Sequence, residues 1–315
     1  MNTLARSVGI RPSVSTTPRR SRSSSWLDNW ATFWFLLPVI AVFLALTAVP
    51  LAYTFYYSLT NYNGYSDVYG IVGLQNYLTV FTDPALLQSV GYTLVFTFAV
   101  TIAVTCLAIP LAVILNKAFW GRGLARSLFF FLGVPSMAIL GLIWRQIFSP
   151  LKTGFLNEVV GFFGFAPIPF LSNGHLAQIC VIFVAVWAAV GWHATLYIAY
   201  LQAIPAELYE QALVDGASPR QQFFNITLPQ LVPAITVSTF LLVSTNLKVY
   251  DLPYTLTAGG PANATMTLTQ SILLRGIGQS QYGVGSALAV LFTIACFVVV
   301  LAQLAISSRI SRRFS

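Results

Sequence analysis

Side chains able to do covalent chemistry are scarce in this chain. Its 315 residues hold eight acids, two histidines and three cysteines. The histidines, His175 and His193, form no H-E-x-x-H pair, and no Ser/His pair stands at a spacing that would activate a nucleophile. Cys106, Cys180 and Cys296 are odd in number and match no metal-ligand spacing, so they read as small buried apolar residues. No catalytic residue and no metal ligand is assigned. What the polar residues can do is make contacts, and they gather in one place. Tyr209–Pro229 reads YEQALVDGASPRQQFFNITLP, and Glu207 stands just before it. Outside that segment, Trp187, Trp192, Asn246, Lys248 and Asp251 stand in or beside apolar runs, where polar and amphipathic groups usually face a bundle interior. His193 reads as a hydrogen-bonded structural group rather than a proton relay.

The elements that position these residues are set by composition. Hydrophobic residues make up 57% of the chain and charged residues 8%, with a mean hydropathy of +0.77. Soluble domains carry roughly 25% charge, so lipid is the expected solvent for most of this chain. Six apolar runs are long enough to cross a bilayer, near 33–53, 92–115, 124–147, 176–201, 231–249 and 284–306. Unbroken runs without alternation predict helices, giving an all-α polytopic membrane protein with six transmembrane helices. Twelve of the 16 Lys and Arg residues fall on one side if the N-terminus is inside, including Arg6, Arg11, Arg19, Arg20 and Arg22. Only Arg145, Lys152, Lys248 and Arg275 then face out, which predicts both termini in the cytoplasm. The net charge of +8 is mostly this bias. The Arg/Ser-rich start reads as a disordered arm near anionic headgroups, not as a nucleic-acid binder. The expected organisation is a basic tail over 1–30, a first transmembrane helix and outer loop over 31–84, a core of five further helices over 85–306, and a short tail over 307–315.

The polar segment has its own punctuation. Pro205 suits the first helical position, and Glu207 and Glu210 suit a first turn facing the helix dipole. The helix should end near Asp215, with Gly216 taking the positive φ of a helix stop. Ser218, Pro219 and Gln221 then predict a capping box opening a second short helix, which Pro229 closes. The whole stretch, 205–229, reads as a rigid helix–turn–helix on the cytoplasmic face. The competing reading is an ordinary amphipathic connector resting on the bilayer.

This punctuation resembles the EAA signature of permease subunits of binding-protein-dependent ABC importers. That pattern is E-A-A, three residues, G, nine residues, I-x-L-P. Glu210–Gln211–Ala212, Gly216 and Ile226–Thr227–Leu228–Pro229 match its spacing, with Gln211 in place of the first Ala. Gly73–Tyr77 (GLQNY), Leu256–Thr265 (LTAGGPANAT) and Tyr282–Val290 (YGVGSALAV) look like the carbohydrate group of that family. The resemblance covers roughly residues 30 to 306. It implies that Glu210, Ala212, Asp215, Gly216 and Ala217 belong to a coupling element docking on a cytoplasmic ATPase. The chain has no G-x-x-x-x-G-K-[ST] phosphate loop, so ATP and Mg would be bound by a separate ATPase dimer, and no cofactor is expected here. It further implies a second homologous permease, an extracytoplasmic solute-binding protein, a carbohydrate substrate, and a bacterial or archaeal cytoplasmic (inner) membrane location.

Sugars are held by aromatic faces and by amides or acids that bridge hydroxyls. By position within the carbohydrate group, Trp192 and Asn246 fall where a relative touches sugar, while two further contact positions fall on apolar Leu242 and Val249. Trp192 alternatively packs between helices, and Asn246 alternatively bonds a neighbouring helix. Trp187 is a further candidate, and Lys248 and Asp251, three apart, could pair or snorkel. A secondary transporter is the competing function. It would need intramembrane carboxylates or broken helices for ion coupling, and the predicted spans hold no acid well inside them.

Overall fold

The computed structural model describes residues 25–314, so the arginines up to Arg22 lie outside the described residues. Among the described residues all regular structure is helical, apart from one isolated bridge between Thr60 and Ile71. The chain divides into two compact units between Ala52 and Tyr53. In the first lies most of α1 (25–58), which carries a π-helical turn at Leu44–Ala48 and exposes apolar side chains such as Phe35 and Leu46.

The second unit is built around α3 (Pro84–Asn116) and α7 (Gly174–Leu201), its most extensively packed pair. On α3, Tyr92, Phe96, Val100, Val104, Ala108 and Ala112 recur every fourth residue and are all buried. The side of α7 in the same core mixes small residues, Cys180, Ala185, Ala188 and Ala194, with Val181, Val184 and the larger Tyr197. Small residues let two backbones approach closely in lipid, where burial of apolar surface gives no drive of its own. The hydroxyls along α3 do not compete for partners. Thr93 and Thr97 donate to the carbonyls four residues back at 2.7 Å, the usual refuge for hydroxyls inside a membrane helix.

Among the described residues four helices are long and apolar enough to cross a bilayer alone: Thr32–Ser58, Pro84–Asn116, Gly174–Leu201 and Tyr282–Ala305. A bent pair, α9 (Pro219–Gln230) and α10 (Val232–Asn246), has the length and apolarity of one further span when taken together, with 63° between its halves. The third run, expected as one helix over 124–147, is broken. It forms α4 (Arg122–Phe131) and α5 (Met137–Ile147), separated by Leu132–Ser136. Pro135 supplies the cause: it lacks an N–H and pushes Val134 out of the helical region. Ser136 then caps α5, its Oγ accepting from the Ile139 N–H. The break is also a close approach, because a Cβ on Gly133 would stand 2.8 Å from the Ala188 carbonyl of α7.

The loops are tied down by side chains. In GLQNY, on α2 (Gln75–Thr82), buried Asn76 donates to the Ser58 and Thr60 carbonyls at 2.8 Å each, and the Tyr77 hydroxyl shares a 2.7 Å bond with Ser58. Asn157, on α6 (Phe155–Phe162), donates to the Ser149 and Ile168 carbonyls and accepts from the Ile168 N–H, folding 149–168 into a compact loop. Two further elements follow α10: α11 (Asp251–Thr257), packed on α5, and α12 (268–278). The turn between them has positive φ at Ala258, Gly259, Ala262 and Asn263. Gln178 of α7 holds it by donating to the Ala264 carbonyl at 2.7 Å. The last helix, α13 (Tyr282–Phe314), starts where Gly283 leaves room for the Thr60 carbonyl, which a Cβ would meet at 2.2 Å.

Candidate functional site

The polar segment folds as a helix, a corner and a second helix. The first helix, α8 (Ala206–Val214), starts one residue later than expected, with Pro205 as its N-cap rather than at N1. Glu207 therefore occupies the first turn, and Glu210 sits beyond it. The corner is a Schellman stop. Gly216 has φ +76°, its N–H reaches the Leu213 carbonyl at 3.1 Å, and the Ala217 N–H reaches the Ala212 carbonyl at 2.8 Å. Ala212 and Ala217 are thus the backbone partners that close the corner. Ser218 follows with a complete capping box to Gln221, which opens α9.

Pro229 does not close the second helix, contrary to the sequence expectation. The helix relaxes through a π-helical turn at Phe223–Thr227, where the Leu228 N–H reaches back five residues to Phe223, and continues to Gln230. The bend comes at Leu231, between Pro229 and Pro233, each of which removes one backbone donor. A hydrogen bond of 2.9 Å between the hydroxyls of Tyr209 and buried Thr227 ties α8 to the end of that π turn. Gln222 adds a bond to the Ala217 carbonyl at 3.0 Å. The corner is therefore braced from both sides.

The free face of this element mixes acid and apolar groups. Glu207, Glu210, Gln211 and Asp215 are exposed, and so are Leu213 and Val214, the latter by 89%. None of the three acids has an ion-pair partner among the described residues; the recorded pair is Asp83 with Arg275. An exposed apolar patch flanked by unpaired carboxylates suits a protein surface that offers a pocket and basic groups.

The residues expected to touch substrate are spread over two depths. His193 shares a 2.8 Å hydrogen bond with Ser238 of α10 and is buried. Trp192 beside it lies edge-on to the His193 ring with centroids 4.7 Å apart, and is 43% exposed. Asn246 lies eight residues beyond Ser238 on α10, about 12 Å of helical rise. It is buried, and its Nδ2 has no hydrogen-bond partner. Trp187 belongs to a packing cluster, its ring edge-on to Trp144 at 5.3 Å, with Phe148 and Phe183 next to Trp144. Lys248 and Asp251 are both exposed and form no ion pair with each other among the described residues, so the pairing alternative is not realised. Lys248 lies in the turn after α10, and Asp251 opens α11.

One residue that the sequence reading passed over is Gln270. It caps α12 in a box with Thr267, whose hydroxyl also donates to the Val249 carbonyl at 3.0 Å. The signal that could have found it is the Thr–x–x–Gln spacing at Thr267 and Gln270.

A braced helical corner thus stands beside a bundle of apolar helices that holds a buried amide donor without a partner among the described residues. The chain belongs to the family of binding-protein-dependent transport system inner membrane components, whose model matches residues 104–312. It is 30% identical to the multiple sugar-binding transport system permease protein MsmF of Streptococcus mutans, over 90% of this chain and 97% of that one. It is 31% identical to the trehalose/maltose transport system permease protein MalF of Thermococcus litoralis, over 88% and 92%. A probable starch degradation products permease, AmyD of Thermoanaerobacterium thermosulfurigenes, is 28% identical over 92% and 98%. Among solved structures, a chain of a bacterial alginate ABC transporter, crystallised with its alginate pentasaccharide-bound periplasmic protein, superposes with a TM-score of 0.79 at 23% identity, over 90% of this chain and 96% of that one. That likeness establishes a shared fold.

Proposed function

We propose that this chain is one permease half of an ATP-driven, binding-protein-dependent importer of carbohydrate. The observation that carries the reading is the braced corner at Gly216 with its exposed, unpaired acids. A separate ATPase dimer holds ATP and Mg and receives α8. A second related permease completes the path, and an extracytoplasmic binding protein delivers the sugar. Support for carbohydrate comes from the relatives, whose names specify multiple sugars, trehalose and maltose, and starch products. The chain crosses the inner membrane six times, with α4 and α5 together forming the third crossing and both termini inside.

Coupling in this reading is mechanical. Closure of the ATPases moves each helical bundle as a body, and the site between the bundles opens alternately to the two sides. A displacement applied at α8 reaches α10 through the Tyr209–Thr227 bond and the Schellman corner, because neither leaves a free joint. Glu210 meets a basic group on the ATPase. The test is Glu210→Lys in the assembled complex. It is expected to abolish sugar uptake while the subunit still inserts and copurifies with its second permease. Uptake at the wild-type rate would overturn the coupling role.

A further inference from the structure

A small cavity lies between α11 and α12. It encloses about 240 Å³ and is lined by Tyr250, Tyr254, Ala258, Met266, Gln270 and two leucines. Three features distinguish it from a packing defect. Tyr250 and Tyr254 stack at 5.1 Å with their planes 14° apart, both line the cavity, and Tyr254 is 52% exposed. Gln270 is 96% buried, as its relative exposure is 4%, and its Oε1 accepts from the Thr267 N–H at 2.9 Å. Its Nε2 has no partner, although an unsatisfied buried donor typically costs about 1–3 kcal/mol.

No charged side chain lines the cavity, which excludes an acidic or basic ligand. Its volume is below the roughly 300–1,000 Å³ of sites that take drug-sized molecules. An aromatic face and one amide donor around a small uncharged space are the recognition elements for a sugar ring. The cavity is also linked to the path. The Thr267 hydroxyl donates to the Val249 carbonyl, and the Val249 N–H donates to the backbone carbonyl of Asn246. Asn246 and Gln270, each with an unpaired amide donor, therefore flank one continuous hydrogen-bonded connection.

We propose that Gln270, Tyr250 and Tyr254 form an outer subsite that takes a single neutral hexopyranose ring before it reaches Asn246. The inference rests on the carbohydrate reading above. Gln270 donates from Nε2 to a ring hydroxyl while its Oε1 keeps the helix cap, and a tyrosine face covers the apolar face of the ring.

The test uses the assembled complex, with Cys106, Cys180 and Cys296 replaced and a reporter thiol introduced as Ala258→Cys. Ala258 is exposed and lines the cavity without being one of the three contacts. Modification by a membrane-impermeant thiol reagent is timed with D-glucose, D-galactose, maltose and trehalose at millimolar concentrations. At least one sugar is expected to slow the reaction roughly fivefold, as occupancy of a millimolar site would. Gln270→Glu, which retains the capping oxygen and removes the donor, should abolish protection. Tyr254→Phe should retain it and Tyr254→Ala lose it. Protection by none of the four sugars overturns the subsite, as does full protection in Gln270→Glu. If that variant does not assemble, undiminished protection in Tyr254→Ala decides against it. Uptake of the same sugars by the complex with its binding protein reports on the permease reading alone, so uptake without protection removes the subsite and leaves that reading standing.

Discussion

Asn246 has a buried amide with a donor that nothing among the described residues accepts. In a structural role the donor would be paired, because buried polar groups are overwhelmingly hydrogen-bonded. On the proposed reading that donor serves the sugar, and this separates two measurements that usually move together. Asn246→Leu removes the unsatisfied group, so thermal stability of the complex is expected to hold or rise. Uptake is expected to fall by roughly tenfold or more, from the loss of one hydrogen bond to sugar. Reduced stability together with unchanged uptake kinetics would assign Asn246 to helix packing. His193 illustrates the opposite case. Its partner, Ser238, is in place, and its structural character was legible from a lone histidine in an apolar run. Trp192 and Asn246 were legible as positions through family resemblance, but their different depths were not, since depth depends on how α10 is set against α7. Gln270 escaped notice because a capping glutamine already has one sufficient local reason to exist.

At the scale of helices, the packing of the second unit turns on a few positions without a side chain. Gly191 of α7 has the closest approach to backbone: a Cβ there would stand 1.9 Å from the Phe129 carbonyl of α4. That oxygen is backbone, so it cannot swing aside as a side-chain tip would. Gly191→Val is therefore expected to push α4 off α7, destabilising the subunit by about 1–3 kcal/mol through overpacking. Gly161, which has no neighbour within 4 Å of a built Cβ, provides the control, and Gly161→Val should change little. Thermal unfolding of the purified complex, followed by tryptophan fluorescence, checks both. Equal melting temperatures for the two variants would refute the close approach. Helix stops were legible where their signals are local: Gly216, Ser218 and Gln221 specify the corner by themselves. The break between α4 and α5 was not read, although Gly133 and Pro135 stand in the run, because apolar length outweighed two breakers. The continuation of α9 past Pro229 was missed for a different reason. A π turn accommodates the missing donor, and no pattern of residue types announces it.

For the whole molecule, the broken third crossing decides the topology. If α4 and α5 together span the bilayer, the crossings number six and the chain ends on the side where it began. If they instead dip in and return, every later loop is inverted, and α8 with its acids lies outside, away from any ATPase. The distribution of Lys and Arg favours the first arrangement, because twelve of 16 then lie inside, where such residues are retained. Loop positions separate the two. Single cysteines in place of Asp67, Ala118, Ser172, Ser218 and Gln279 are introduced into a chain lacking its native cysteines. With an impermeant reagent on intact cells, Asp67, Ser172 and Gln279 are expected to react, and Ala118 and Ser218 only after the membrane is opened. A re-entrant α4–α5 would leave Asp67 reactive but exchange the behaviour of Ser172, Ser218 and Gln279. The result also bears on coupling. The exposed acids of α8, the corner that braces them and the bend at Leu231 form one mechanical line into the bundle, and that line can meet an ATPase only if Ser218 is shielded from the outside.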